Sequence, residues 1–129
     1  MKTVFFHGIS AGGLAAFAAI LYNKMYSEAL LVDFSKVINS TSISGASVFA
    51  CLLASVAYYF FTRKKYSDEW FNGIFLLISF ATFISPFSIT LPFEIESPEL
   101  FIGLAIPMHL FPVLFWMATR SLFWKVDDR

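Results

Sequence analysis

The chain has 129 residues, of which 58% are hydrophobic, 19% aromatic and only 14% charged. Water-soluble domains average about 45–50% apolar and about 25% charged residues, so this composition argues against a water-soluble globular fold. Nine basic residues balance nine acidic ones, which makes nucleic acid a poor partner, and the single cysteine, Cys51, excludes an internal disulfide or a thiolate zinc site.

A hydrocarbon core about 30 Å thick needs about 20 apolar residues per helix. Four apolar stretches meet that need, at about 4–22, 43–61, 70–89 and 100–123, and none holds Asp, Glu or Lys. The predicted fold is an all-α integral membrane four-helix bundle, with residues 1–129 forming one four-span domain. Lys2 and the Ala16-Phe17-Ala18 triplet give the first stretch the outline of a signal peptide. We read it instead as a retained span.

Small residues dominate the first two spans. Gly8, Gly12 and Ala16 recur at four-residue spacing, as do Ala46, Ala50 and Ala54, with Ser47, Cys51 and Ser55 beside them. Lipid tails give helices no hydrophobic reason to associate, so stripes that let backbones approach are where packing is expected. The two stripes are predicted to face each other; a homodimer contact is the alternative. Between these spans Leu30, Leu31, Phe34, Val37 and Ile38 follow helical spacing, with Glu28, Asp33, Lys36 and Asn39 at other angles. The pattern predicts a short amphipathic outer helix, acting as a lid on the bundle or as a docking element for a partner.

Arg63, Lys64 and Lys65 close the second span, where cations suit the negative helix end. Ser67 followed by Asp68 and Glu69 should cap the third, and Ser97-Pro98-Glu99 the fourth. The third and fourth spans are rich in rings, including Phe71, Phe75, Phe80, Phe111 and Trp116. Rings facing lipid or a partner are one explanation, and the lining of an apolar site is the other. In a four-span chain, seven basic residues fall on the side of both termini and only Lys24 and Lys36 on the other. Basic short loops stay cytoplasmic, which predicts cytoplasmic termini and an inner-membrane, multi-pass protein.

His109 is the residue with most chemical promise. It lies nine residues past Leu100, so about 13.5 Å down a helix and near the bilayer midplane. Pro107 and Pro112 flank it, and each removes a backbone donor and kinks the helix. An ionisable residue at that depth is a functional candidate by default. Ser79 and Thr82 on the third span reach similar levels, and Trp116 shares the helical stripe of His109. These four residues form the candidate ligand-binding set; a purely structural His109 is the competing reading. His7 lies about 4.5 Å inside the first span, at a depth that does not match His109, so a bis-histidine haem is disfavoured. No catalytic set, metal site or cofactor is expected. Glu94, Glu96 and Glu99 form an acidic outer loop whose ordinary role is solvation, with a cation site as the alternative.

The order of Val32-Asp33-Phe34-Ser35, Gly45-Ala46-Ser47, Ser97-Pro98-Glu99-Leu100-Phe101 and Ile106-Pro107-Met108-His109 resembles that of small four-span bacterial integral membrane protein families of unknown function. The resemblance implies topology and a bacterial envelope setting, and carries no chemistry. Two functions follow from the residues. One is a non-enzymatic membrane protein, an accessory subunit or homo-oligomer that works through helix contacts with other subunits or itself. The other is a binder, or an enzyme, for a lipophilic molecule such as a quinone or lipid at the kinked fourth span. Alkaline phosphatase fused after Ser40 is expected to be active and after Lys65 inactive; the reverse pattern would overturn the orientation.

Overall fold

A computed structural model describes residues 2–91, 95 and 97–124, and these contain helices and turns without a strand. Helix α1 runs Lys2–Leu30, α2 Ser40–Arg63 and α3 Asp68–Ala81; a 3₁₀ turn at Thr82–Ile84 leads into the short α4, Ser85–Ser88, and α5 spans Leu100–Phe123. With α3, the turn and α4 taken together, four helical segments are long and apolar enough to cross a membrane. The break in the third falls just before Pro86, whose missing N–H cannot complete the regular ladder.

Local chemistry explains most helix ends. The Ser67 hydroxyl accepts from the Trp70 N–H at 3.5 Å, with Asp68 and Glu69 in the first turn of α3. Asn39 and Ser42 form a reciprocal capping box on α2, at 2.9 and 3.0 Å, which the sequence reading did not anticipate. The expected cap on α5 takes another form. Ser97 adopts a left-handed backbone with φ 56°, and its carbonyl, not its hydroxyl, accepts from the Leu100 N–H at 3.1 Å.

The separate amphipathic helix predicted between the first two spans is not what the described residues form. Helix α1 absorbs 28–30, and residues 31–39 make turns. Leu31 reverses the chain with φ 55°, and the Ser35 N–H donates to the Asp33 carboxylate at 2.8 Å, which holds that carboxyl below its usual range. The apolar residues of the segment serve as separate anchors. Phe34 is fully buried in a cluster with Ile95, Phe101, Leu104 and Ala105. Chain reversal to seat that ring leaves too few residues for another helix.

A second core lies toward the end of the bundle that carries Lys2 and Phe123, built from Val4, Ala11, Cys51, Ala54, Tyr58, Phe71 and Trp116. Helix α1 packs along both α2 and α5, whereas the third span is peripheral. The glycines explain the α1–α2 approach. A Cβ at Gly12 would lie 2.8 Å from the Val48 Cα, and one at Gly8 would lie 2.9 Å from the Cys51 carbonyl oxygen. The facing α2 stripe is Ser47, Cys51 and Ser55, one position along from the expected Ala46, Ala50 and Ala54. These side chains are small and carry donors: Ser55 Oγ lies 3.2 Å from the Val4 carbonyl and 2.9 Å from that of Cys51. Ala16 and Ala54 are buried, while Ala46 and Ala50 turn toward a cleft described below.

Gly13 neighbours Gly12 in sequence, but a Cβ there meets nothing within 4 Å. Gly12→Ala should therefore destabilise the protein by about 1–3 kcal/mol through overpacking. Gly13→Ala should be neutral or stabilising by up to about 1 kcal/mol. Thermal unfolding in detergent of the two variants side by side checks the difference.

Candidate functional site

Helices α2 and α5 and the third span enclose a cleft of about 390 Å³. Its α5 wall carries Phe101, Ala105, Met108, His109 and Pro112, and its α2 wall Ile43, Ala46, Ser47 and Ala50. Phe75, Ile78, Ser79 and Thr82 come from the third span, and Val37 and Ile38 of the interhelical loop cover one end. Ser42, Ala46, Ile78 and Thr82 stay exposed, marking an open flank between α2 and the third span. The volume sits at the lower end of the range typical of small-molecule sites, about 300–1,000 Å³.

Proline chemistry shapes the α5 wall. Pro107 and Pro112 both lie within the helix, and Pro107 has no N–H to offer the Gly103 carbonyl. The Tyr22 hydroxyl donates to that carbonyl at 2.9 Å, and the Tyr26 hydroxyl donates to the Leu100 carbonyl at 2.8 Å. Tyr22 of α1 thus occupies the backbone acceptor that Pro107 leaves without its usual donor. The side chain of His109 makes no hydrogen bond among the described residues and faces the cleft half-buried.

The predicted ligand set is divided by the structure. His109, Ser79 and Thr82 come together on the cleft. Thr82 Oγ1 donates to the Ser79 carbonyl at 2.7 Å, a bond that helps hold the turn where α3 ends. Trp116 lies elsewhere, because seven residues carry it about 10.5 Å beyond His109 along α5. It is buried at the other core, its ring centroid 4.2 Å from that of His7. Ser47, which the sequence placed only beside the α2 alanine stripe, also lines the cleft and is 5% exposed.

His7 has the opposite character. It is 0% exposed, and its Nε2 lies 3.0 Å from both the Trp116 carbonyl and Thr119 Oγ1. Thr119 Oγ1 lies 2.7 Å from the Phe115 carbonyl and donates to it, so Nε2–H donates to Thr119 and Trp116. Phe123 and Trp124 complete the aromatic surround. Beside it, Arg120 pairs with Asp68, which also accepts from the Tyr58 hydroxyl at 2.8 Å. This network ties the start of the third span to α2 and α5. Sequence reasoning missed it: Asp68 reads as a capping-turn carboxylate, and Arg120 as a flanking cation.

Glu94 and Glu96 of the acidic loop lie outside the described residues. Among those described, no three His, Cys, Asp or Glu side chains gather as metal ligands would. No protein-family model, curated protein or solved structure matches the chain.

The two histidines should respond differently to mutation. His7→Leu removes two buried hydrogen bonds and leaves their partners to reorganise, at a cost of about 1–3 kcal/mol. His109→Leu removes none and should leave thermal stability near that of the parent protein. Equal losses of Tm in detergent would contradict this division.

Proposed function

We propose that the chain is a multi-pass protein of the bacterial inner membrane, with cytoplasmic termini, that binds a lipophilic small molecule in the His109 cleft. One observation carries this reading. The cleft is bordered by apolar side chains, yet the side-chain polar groups of Ser47, Ser79 and His109 line it without a hydrogen-bond partner among the described residues. Polar groups removed from water without partners cost free energy, and a bound head group would satisfy them. The open flank between α2 and the third span faces what would be the bilayer, so a ligand could arrive from the membrane. Binding requires no catalytic set, and none is assigned.

A second reading has its own support. The third span is the least buried of the four, 17% against 39% for the first, and leaves Trp70, Leu77, Ile84 and Phe87 largely uncovered. A non-enzymatic accessory subunit or homo-oligomer would use that face for contacts, and lipid would cover it otherwise. The structure thus offers a face for the contact role and a cleft for the binding role, and the unpartnered polar groups weigh toward the cleft.

Ala50→Phe distinguishes the readings by filling the cleft from its α2 wall. After gentle-detergent purification, mass spectrometry of the parent protein should detect a retained lipid or quinone that this variant loses, with oligomeric state unchanged. Unchanged lipid content together with a co-purifying membrane subunit would favour the contact reading.

A further inference from the structure

Building on the binding reading, we infer that the ligand is a neutral lipid whose head group presents carbonyl oxygens to Ser47, Ser79 and His109. The chemistry of the lining selects among membrane lipids. Among the described residues its polar side chains are Ser42, Ser47, Ser79, Thr82, Ser85 and His109, with no Asp, Glu, Lys or Arg. A phosphate or carboxylate placed here would leave its solvent without gaining a cation, which low-dielectric surroundings penalise heavily. A neutral head meets no such penalty.

Two of the six polar groups are already engaged. Ser42 Oγ donates to the Asn39 carbonyl at 2.8 Å, and Thr82 Oγ1 to that of Ser79 at 2.7 Å. Ser47 and Ser79 are each 5% exposed and their side chains make no hydrogen bond among the described residues, nor does the half-buried side chain of His109. Each can donate: a hydroxyl carries one O–H, and a neutral imidazole one N–H. The donors come from α2, α3 and α5, so they approach a shared ligand from different sides. Carbonyl oxygens accept from such donors and need nothing in return.

Depth points the same way. His109 lies about 13.5 Å from the Leu100 end of α5, within a hydrocarbon core about 30 Å thick. A phospholipid head is held at the interface by its charge and hydration, whereas the head of a neutral lipid reaches the midplane at less cost. Isoprenoid quinones and diacylglycerols share this chemistry, the first with ring carbonyls and the second with ester carbonyls.

The test uses full-length protein in nanodiscs of phosphatidylcholine. Four probes are titrated separately: a short-tailed menaquinone, dioleoylglycerol, dioleoylphosphatidylglycerol and oleate. Saturable binding of a neutral probe, not displaced by either anionic one, is expected, and which neutral probe binds more tightly identifies the source. Ser79→Ala and Ser47→Ala should each weaken the neutral probe about fivefold, the equivalent of one net hydrogen bond. Neither hydroxyl holds a structural bond, so both variants should melt with the parent protein. Tighter binding of phosphatidylglycerol or oleate would overturn the neutral-head inference and leave the binding reading standing. Unchanged affinity in both serine variants would overturn the assignment of donors. Absence of saturable binding by all four probes would overturn the binding reading itself.

Discussion

The close approach of α1 to α2 at Gly8 and Gly12 is the constraint on which the rest of the molecule depends. Two helices can meet at this distance only if one presents no Cβ and the other presents small side chains. With Ser47, Cys51 and Ser55 filling that second role, the helices gain bonds as well as contact. Ser55 Oγ reaches the Val4 carbonyl at 3.2 Å, and the Cys51 thiol donates to the Pro112 carbonyl at 3.6 Å. The seam therefore fixes α5 as well. Because α2 spends that face on α1, its alanine face remains available to border the cleft.

The third span takes the complementary part. It is tied near its start, where Asp68 meets Arg120 and Tyr58, and its ring surface touches the core through Phe71 and Phe75. Beyond Ala81 its regular helix ends. A span secured at one end and irregular at the other does not close against α2 along its whole length. The cleft is the result. Its position beside the segment of α5 that holds Pro107 and Pro112 brings an imidazole into a space that a fully packed bundle would fill.

Much of this architecture was legible in the residues. Hydropathy marked the four spans, and α5 begins and ends where the stretch 100–123 does. Ser67 caps α3 as its hydroxyl and following carboxylates suggest. What the sequence left undetermined depends on rotation and on distant partners. Ala46/Ala50/Ala54 and Ser47/Cys51/Ser55 are neighbouring stripes of similar size, and spacing alone does not say which faces α1. His7 looked peripheral because its partners, Trp116 and Thr119, are more than 100 residues away in the chain. For the same reason, nothing local revealed that Tyr22 would take the carbonyl freed by Pro107. The outer amphipathic pattern was present, but Phe34 uses it to plug a core.

Helix α1 has 29 residues and so is about 43 Å long, more than a hydrocarbon core of about 30 Å requires. Its surplus carries the exposed Lys24–Glu28 pair and leads to the loop whose Val37 and Ile38 border the cleft. Under the proposed reading, that border shields the cleft from the aqueous side while its flank between α2 and the third span stays open to lipid. Occupancy would then follow the mole fraction of ligand in the membrane instead of its concentration in water. A poorly soluble molecule present at a fraction of a per cent of the bilayer could fill the cleft, and dilution of the cells or of the medium would leave it filled.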